Sequence, residues 1–165
     1  MTLPYAIMVF VTLQRLSELI IARRNTARLL ASGAREYGAD HYPVMVAMHT
    51  AWLATLWFTV GGRDVSMPLL LLFVLLQMMR IWVLATLGRR WTTRIIVTPD
   101  APLVKRGPFR FLRHPNYVVV TAEIAVLPLA FGLIGIAALF TLLNAAMLYV
   151  RIGAENRALY GKLSA

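Results

Sequence analysis

The chain of 165 residues contains no cysteine. Neither a disulfide framework nor a thiolate metal site can hold it together, and its redox compartment leaves no mark on the sequence. Acidic residues are scarce too, with seven Asp and Glu against 17 Lys and Arg for a formal charge of +10. Such a balance raises nucleic acid as a partner. The basic residues, however, lie between apolar runs rather than along one helix or patch, so no nucleic-acid partner is expected. His41, His49 and His114 are far apart and show no HExxH-type spacing, so no metal is assigned. Dinucleotide fingerprints, Walker loops and GxSxG elbows are likewise missing, and the soluble-enzyme templates that depend on them fail.

What the chain has in abundance is apolar surface. Hydrophobic residues make up 59%, charged residues only 15%, and the mean hydropathy is +0.68. A soluble domain would lie nearer about 45–50% apolar. The expected class is all-α: a polytopic integral membrane protein of about five transmembrane helices, forming one membrane-embedded domain over residues 1–165. Residues 3–21, 42–60 and 68–87 are each long enough to cross a hydrocarbon core of about 30 Å. The run 118–150 is too long for one span and carries Pro128, Gly132 and Gly135 near its middle. It divides into spans at about 117–131 and 133–150, a C-terminal helical hairpin. A cleavable signal peptide is not expected, because Arg15 and Glu18 interrupt the first run and no basic stretch precedes it.

Basic residues in the connections set the orientation. Arg23, Arg24, Arg28 and Arg35 follow the first run. Arg89, Arg90, Arg94, Lys105, Arg106, Arg110 and Arg113 follow the third, and Arg151, Arg157 and Lys162 lie in the tail. The connection "GGRDVSM" has only Arg63, and the hairpin turn has none. The expected arrangement is an integral protein of a bacterial inner membrane, with the N-terminus outside and the C-terminus cytosolic.

Two basic residues, Arg15 and Arg80, fall inside spans, where a charge costs at least about 2.5–3.5 kcal/mol. By rise per residue, Arg15, Glu18, Arg80 and Glu123 all lie in the cytosolic half. Asn144, Arg151 and Glu155 share one face of the last helix, and Gln77 with Arg80 share a face of the third. Snorkelling or structural ion pairs account for any one of these groups. Their convergence toward one end of the bundle points to a cavity. Trp52, Trp57, Trp82 and Trp91 are read as packing and interfacial anchors, and His41 and His49 as packing residues.

Directly before the hairpin stands "GPFRFLRHPNY", residues 107–117. Pro108 and Pro115 are expected to hold Gly107 and His114 extended, leaving irregular backbone at the membrane surface. Such backbone is tolerated there when it lines a cavity. This stretch, the hairpin and "RIGAENRALYG" at 151–161 resemble the C-terminal signature of the isoprenylcysteine carboxyl methyltransferase superfamily, and phosphatidylethanolamine N-methyltransferases carry related motifs. Over its full length, including "LQRLSELIIARRN", "GAREYGADHYP" and "LGRRWTTRIIV", the chain is more similar to a small bacterial branch linked to type III polyketide synthases. Members of that branch methylate alkylpyrones or alkylresorcinols.

The resemblance implies S-adenosylmethionine as cofactor. It places Arg113, His114, Pro115 and Tyr117 in the cofactor wall and Glu155 against the donor's ammonium group. Asn156 stands where the family has a second acidic residue, and Val119 where many members have glycine. It also implies a lipophilic small-molecule acceptor drawn from the bilayer, with membrane lipid around it and a type III polyketide synthase as functional partner. A prenylcysteine carboxylate is the acceptor of the wider superfamily. For that chemistry Arg80 and Arg151 are candidates to hold an acceptor anion, and Glu123 or His114 to act as base if the acceptor is a phenol. A membrane reductase using NADPH on a related scaffold, and a non-catalytic scaffold or transporter, are the competing classes.

Overall fold

The computed structural model describes residues 2–99 and 101–160. Five α-helices follow in the expected order: α1 Leu3–Ala31, α2 Tyr42–Thr59, α3 Met67–Leu87, α4 Pro115–Ala130 and α5 Ile134–Tyr160. The first four each carry a proline in their first turn, where its missing N–H leaves no helical bond unmade. α1, α3 and α5 are long and apolar enough to cross a membrane, and α4 is a shorter apolar helix of 16 residues.

Two helices run beyond their apolar stretches. α1 has 29 residues and α5 has 27, about 44 and 40 Å at 1.5 Å per residue, against a hydrocarbon core of about 30 Å. Arg23, Arg24 and Arg28, expected in a loop, therefore ride on the last turns of α1. Arg151, Glu155 and Arg157 ride on those of α5. The apolar run ends where the bilayer would end; the helix continues because Ala, Arg and Leu dominate the next turns and are strong helix formers. Gly161 and Lys162 lie outside the described residues.

The α4–α5 turn closes as expected. The Leu133 N–H donates to the Pro128 carbonyl at 2.9 Å and the Gly132 N–H to that of Leu129 at 2.9 Å, with Gly132 at φ 70°. This is a Schellman motif, and the left-handed position favours glycine. At the same end, the Ser66 N–H donates to the Ala130 carbonyl at 2.8 Å, tying the start of α3 to the end of α4. Between these ties lies an apolar core that includes Met8, Val11, Leu56, Phe73, Leu127, Phe131 and Phe140. The exterior is apolar as well: Phe58 is 90% exposed and Leu142 71%, whereas Glu18, Gln77, Arg80, Glu123, Asn144 and Arg151 are buried. That inversion is what a lipid solvent selects.

The opposite, basic end holds irregular chain and a small sheet that period-2 patterning does not announce. β1 Arg35–Tyr37 pairs antiparallel with β2 Ile95–Val97, Glu36 opposite Ile96. Three-residue strands are too short to carry a period. The sheet joins the α1–α2 connection to the α3–α4 connection, and Arg94 reinforces it with bonds of 2.7 and 3.0 Å to the Glu36 carboxylate. Gly107 is not extended: its φ is +57°, and a Cβ there would lie 2.5 Å from Thr86 Oγ1 on α3. Proline disfavours the right-handed helical region for its predecessor, and glycine escapes into the left-handed one. His114, the residue before α4, sits at φ −130° and ψ 63°, short of fully extended.

Candidate functional site: two cavities meeting at Arg151

The buried polar groups divide into two sets. Arg15 and Glu18 on α1, Gln77 and Arg80 on α3, and Glu123 on α4 form a closed network. Arg80 donates from Nε to Glu18 Oε1 at 2.5 Å, from Nη2 to Glu18 Oε2, and from Nη1 to Glu123 Oε2 at 2.8 Å. Arg15 donates to Glu123 Oε2 at 2.7 Å, and Gln77 to Glu123 Oε1 at 2.9 Å. Gln14 completes the ring, donating to Gln77 at 2.6 Å and to Glu18 at 3.1 Å. Two cations meet two anions, and every nitrogen of Arg80 faces a carboxylate. The structure thus places Arg80, a candidate anion holder, among anions already. Glu123, a candidate base, is fully buried with both oxygens occupied, and it lines neither cavity described below.

The second set follows α5. Asn144, Arg151 and Glu155 share a face, as their spacing of seven and four requires. That face runs along two cavities. The outer one, about 410 Å³, is walled by β2 and its flanks, the 101–105 segment, and Arg113, His114, Pro115, Asn116, Tyr117, Arg151 and Glu155. The inner one, about 320 Å³, lies among α1, α2, α4 and α5 and is mostly apolar, with Leu16, Val46, Leu53 and Met147 in its wall and His49, Arg80 and Asn144 among its polar groups. Both fall within the about 300–1,000 Å³ typical of small-molecule sites. Trp91, Thr92, Asn116, Tyr117 and Arg151 line both, so the cavities adjoin there.

Arg151 is 6% exposed. Its Nη2 donates to the Thr93 carbonyl at 2.9 Å, its Nη1 lies 3.0 Å from Met45 Sδ, and its Nε lies 3.4 Å from the Tyr117 hydroxyl. That hydroxyl donates to Glu155 Oε2 at 2.5 Å, with His114 Nδ1 3.6 Å from the same oxygen and the His114 and Tyr117 rings stacked at 5.3 Å. No carboxylate lies within 4 Å of Arg151 among the described residues. Partial burial and the Arg151 guanidinium hold the nearby His41 below the ordinary imidazole range, against the opposing pull of Asp40. Near neutral pH His41 is mainly uncharged and adds no second cation.

All five residues implied as cofactor wall, Arg113, His114, Pro115, Tyr117 and Glu155, line the outer cavity. So do Trp91 and Asn116, which the sequence did not assign to that wall. Trp91 Nε1, His114 Nε2 and Asn116 Oδ1 are buried without a hydrogen-bond partner, a condition native interiors tolerate for few atoms. Trp91 is held there by Asn25 on α1, whose amide donates to the Trp91 carbonyl at 2.8 Å. Asn116 stood inside the quoted motif, but nothing in its spacing distinguished it from a helix-start residue. A donor bearing carboxylate, ammonium and adenine fits these walls, which offer acidic and basic side chains and three unpaired polar atoms.

Fold and site together define an integral membrane helical bundle with a polar chamber at its basic end that shares a wall with an apolar chamber between the helices. The chain belongs to the isoprenylcysteine carboxyl methyltransferase (ICMT) family, whose profile matches residues 69–161. The uncharacterized protein YpbQ of Bacillus subtilis (strain 168) is 39% identical over 151 residues, 88% of this chain and 90% of that one. An uncharacterized protein of Haemophilus influenzae is 25% identical over 108 residues, 62% of this chain and 63% of its own length. No solved structure matches the chain.

Proposed function

We propose that this protein is an S-adenosylmethionine-dependent O-methyltransferase of a lipophilic acceptor, working at the cytosolic face of a bacterial inner membrane. The observation that carries this reading is the junction at Arg151, where a buried cation with no carboxylate partner among the described residues lines both a polar and an apolar chamber. Isolated buried charge is expensive, and an anionic ligand head offsets the cost. The acceptor class favoured is a long-chain alkylpyrone or alkylresorcinol, with a type III polyketide synthase as its supplier; a prenylcysteine carboxylate is the family's other choice. The family profile leaves out α1 and α2, yet both helices line the inner cavity. Acceptor choice can therefore vary while the donor wall is kept.

When bound, the donor supplies a sulfonium methyl: an O–C bond forms as the S–C bond breaks, and its electron pair goes to sulfur. Arg151 orients the acceptor oxyanion at the chamber junction. Glu155, fixed by Tyr117, faces the outer chamber and pairs with the ammonium. The apolar walls keep water from the junction, where two opposite charges are cancelled and need no solvent to disperse them.

Calorimetry of purified protein with S-adenosylmethionine and NADPH in parallel, followed by methyl transfer from labelled donor to the three acceptors, tests the reading. Binding of NADPH alone would replace it with a reductase, and binding of neither with a scaffold or transporter. Glu155→Ala is expected to weaken donor binding by about 2–3 kcal/mol, roughly 30- to 150-fold, because a partly buried ammonium loses its charged partner. Wild-type affinity in that variant would remove α5 from the donor site.

The orientation is tested by labelling, since no native cysteine interferes. Asp64→Cys, in the exposed α2–α3 connection, is expected to react with impermeant maleimide from outside the cell. Ser32→Cys, exposed at the end of α1, should react only after the membrane is opened. The reverse pattern would turn the protein over.

A further inference from the structure

His49 is a polar ring on the otherwise largely apolar α2, and neither the ion-pair network nor the donor wall uses it. Its Nδ1 lies 2.9 Å from the Met45 carbonyl oxygen, one turn earlier on the same helix. A carbonyl only accepts, so Nδ1 carries the hydrogen, and in the neutral ring Nε2 holds the lone pair. No hydrogen bond reaches Nε2 among the described residues, and it is not one of the buried polar atoms left without a partner. His49 lines the inner cavity.

Met45 relates this nitrogen to the junction. Its sulfur receives Arg151 Nη1 and its carbonyl holds His49 Nδ1. His49 therefore stands one helical turn, about 6 Å of rise, beyond Met45 on the face of α2 turned toward Arg151. An acceptor head with its oxygen at the junction has a cation on one side and an unengaged imidazole nitrogen on the other.

Resting on the methyltransferase reading above, we infer that His49 is the general base that deprotonates the acceptor hydroxyl, and that the acceptor is accordingly a long-chain phenol of the resorcinol type. A carboxylate or acidic enol arrives ionised and needs no base. A phenol, with a tyrosine-like pKa of about 10, is ionised in only about one molecule in a thousand at pH 7. In the proposed step the phenol O–H proton moves to His49 Nε2, leaving a phenolate beside Arg151 and an imidazolium. The phenolate oxygen then takes the methyl as the S–C bond breaks with its pair on sulfur, and the imidazolium proton passes to water at the basic end.

The test compares an alkylresorcinol with a 4-hydroxy-2-pyrone of equal chain length, in liposomes, for wild type, His49→Ala and His49→Gln. Both variants are expected to lose about 100-fold or more of kcat/KM on the resorcinol and at least ten times less than that on the pyrone, while S-adenosylmethionine binding is kept. A second readout needs no donor. Wild-type protein should hold a bound long-chain nitrophenol more fully as its coloured phenolate than His49→Gln does at the same pH. Resorcinol methylation that survives in the variants, equal losses on both acceptors, identical nitrophenol spectra, or wild-type activity on the pyrone alone would each overturn the role of His49. Wild-type protein that binds the donor but methylates neither of these acceptors nor a prenylcysteine would overturn the methyltransferase reading and this inference together, an outcome distinct from all of those.

Discussion

Replacing Arg151 by methionine is expected to lower kcat/KM for acceptor methylation by about 10²–10³-fold without unfolding the protein. The guanidinium lines both chambers and meets no carboxylate among the described residues, and in the proposed mechanism its counter-ion is the acceptor head. Truncating one member of a buried charge pair costs about 2–5 kcal/mol of binding, and about 3–4 kcal/mol corresponds to that range of rates. Stability should respond differently. Removing a buried cation that has no carboxylate among the described residues relieves desolvation, whereas the bond to the Thr93 carbonyl at 2.9 Å is lost; these effects oppose each other. Arg151→Lys keeps the charge but loses the planar fork and should fall between the two. Methyl-transfer kinetics and a denaturation midpoint, measured on the same preparations, decide the matter. Near-wild-type transfer by Arg151→Met would mean that the acceptor anion is held elsewhere.

Glu123→Ala is expected to do the opposite, destabilising the fold by about 3–5 kcal/mol. Glu123 is fully buried, and Arg15, Arg80 and Gln77 all donate to it. Without it, two guanidinium groups face the single carboxylate of Glu18 in a low-dielectric interior. The double variant Arg80→Met with Glu123→Leu, which restores charge balance, should recover much of the loss and be more stable than either single variant. A catalytic role for Glu123 predicts another pattern: Glu123→Ala folds normally and is inactive, and the double variant is no better. Equilibrium unfolding in mixed micelles, carried through as a double-mutant cycle, separates the two.

The sequence by itself determined the membrane class, the order of the helices and the C-terminal hairpin. Those depend on runs of about 20 apolar residues and on Pro–Gly punctuation, which are local properties of the chain. The family membership was legible for a similar reason, since "GPFRFLRHPNY" and "RIGAENRALYG" are short contiguous segments. Helix-face spacing also placed Asn144, Arg151 and Glu155 together, because a 3.6-residue period needs no tertiary information. Which charges are satisfied and which are left open was decided by tertiary structure alone. From the sequence Arg80 and Arg151 are equal candidates to hold an anion. Packing of α3 against α1 and α4 gives Arg80 two carboxylates, whereas the α5 face brings Arg151 to a backbone carbonyl, a thioether and a tyrosine hydroxyl. His49, read as a packing residue, and Trp91, read as an interfacial anchor, likewise line a cavity only because helices and connections distant in the chain converge there. An ion pair across 62 residues, such as Arg80 with Glu18, has no signature in local spacing; its partner is chosen when the helices pack.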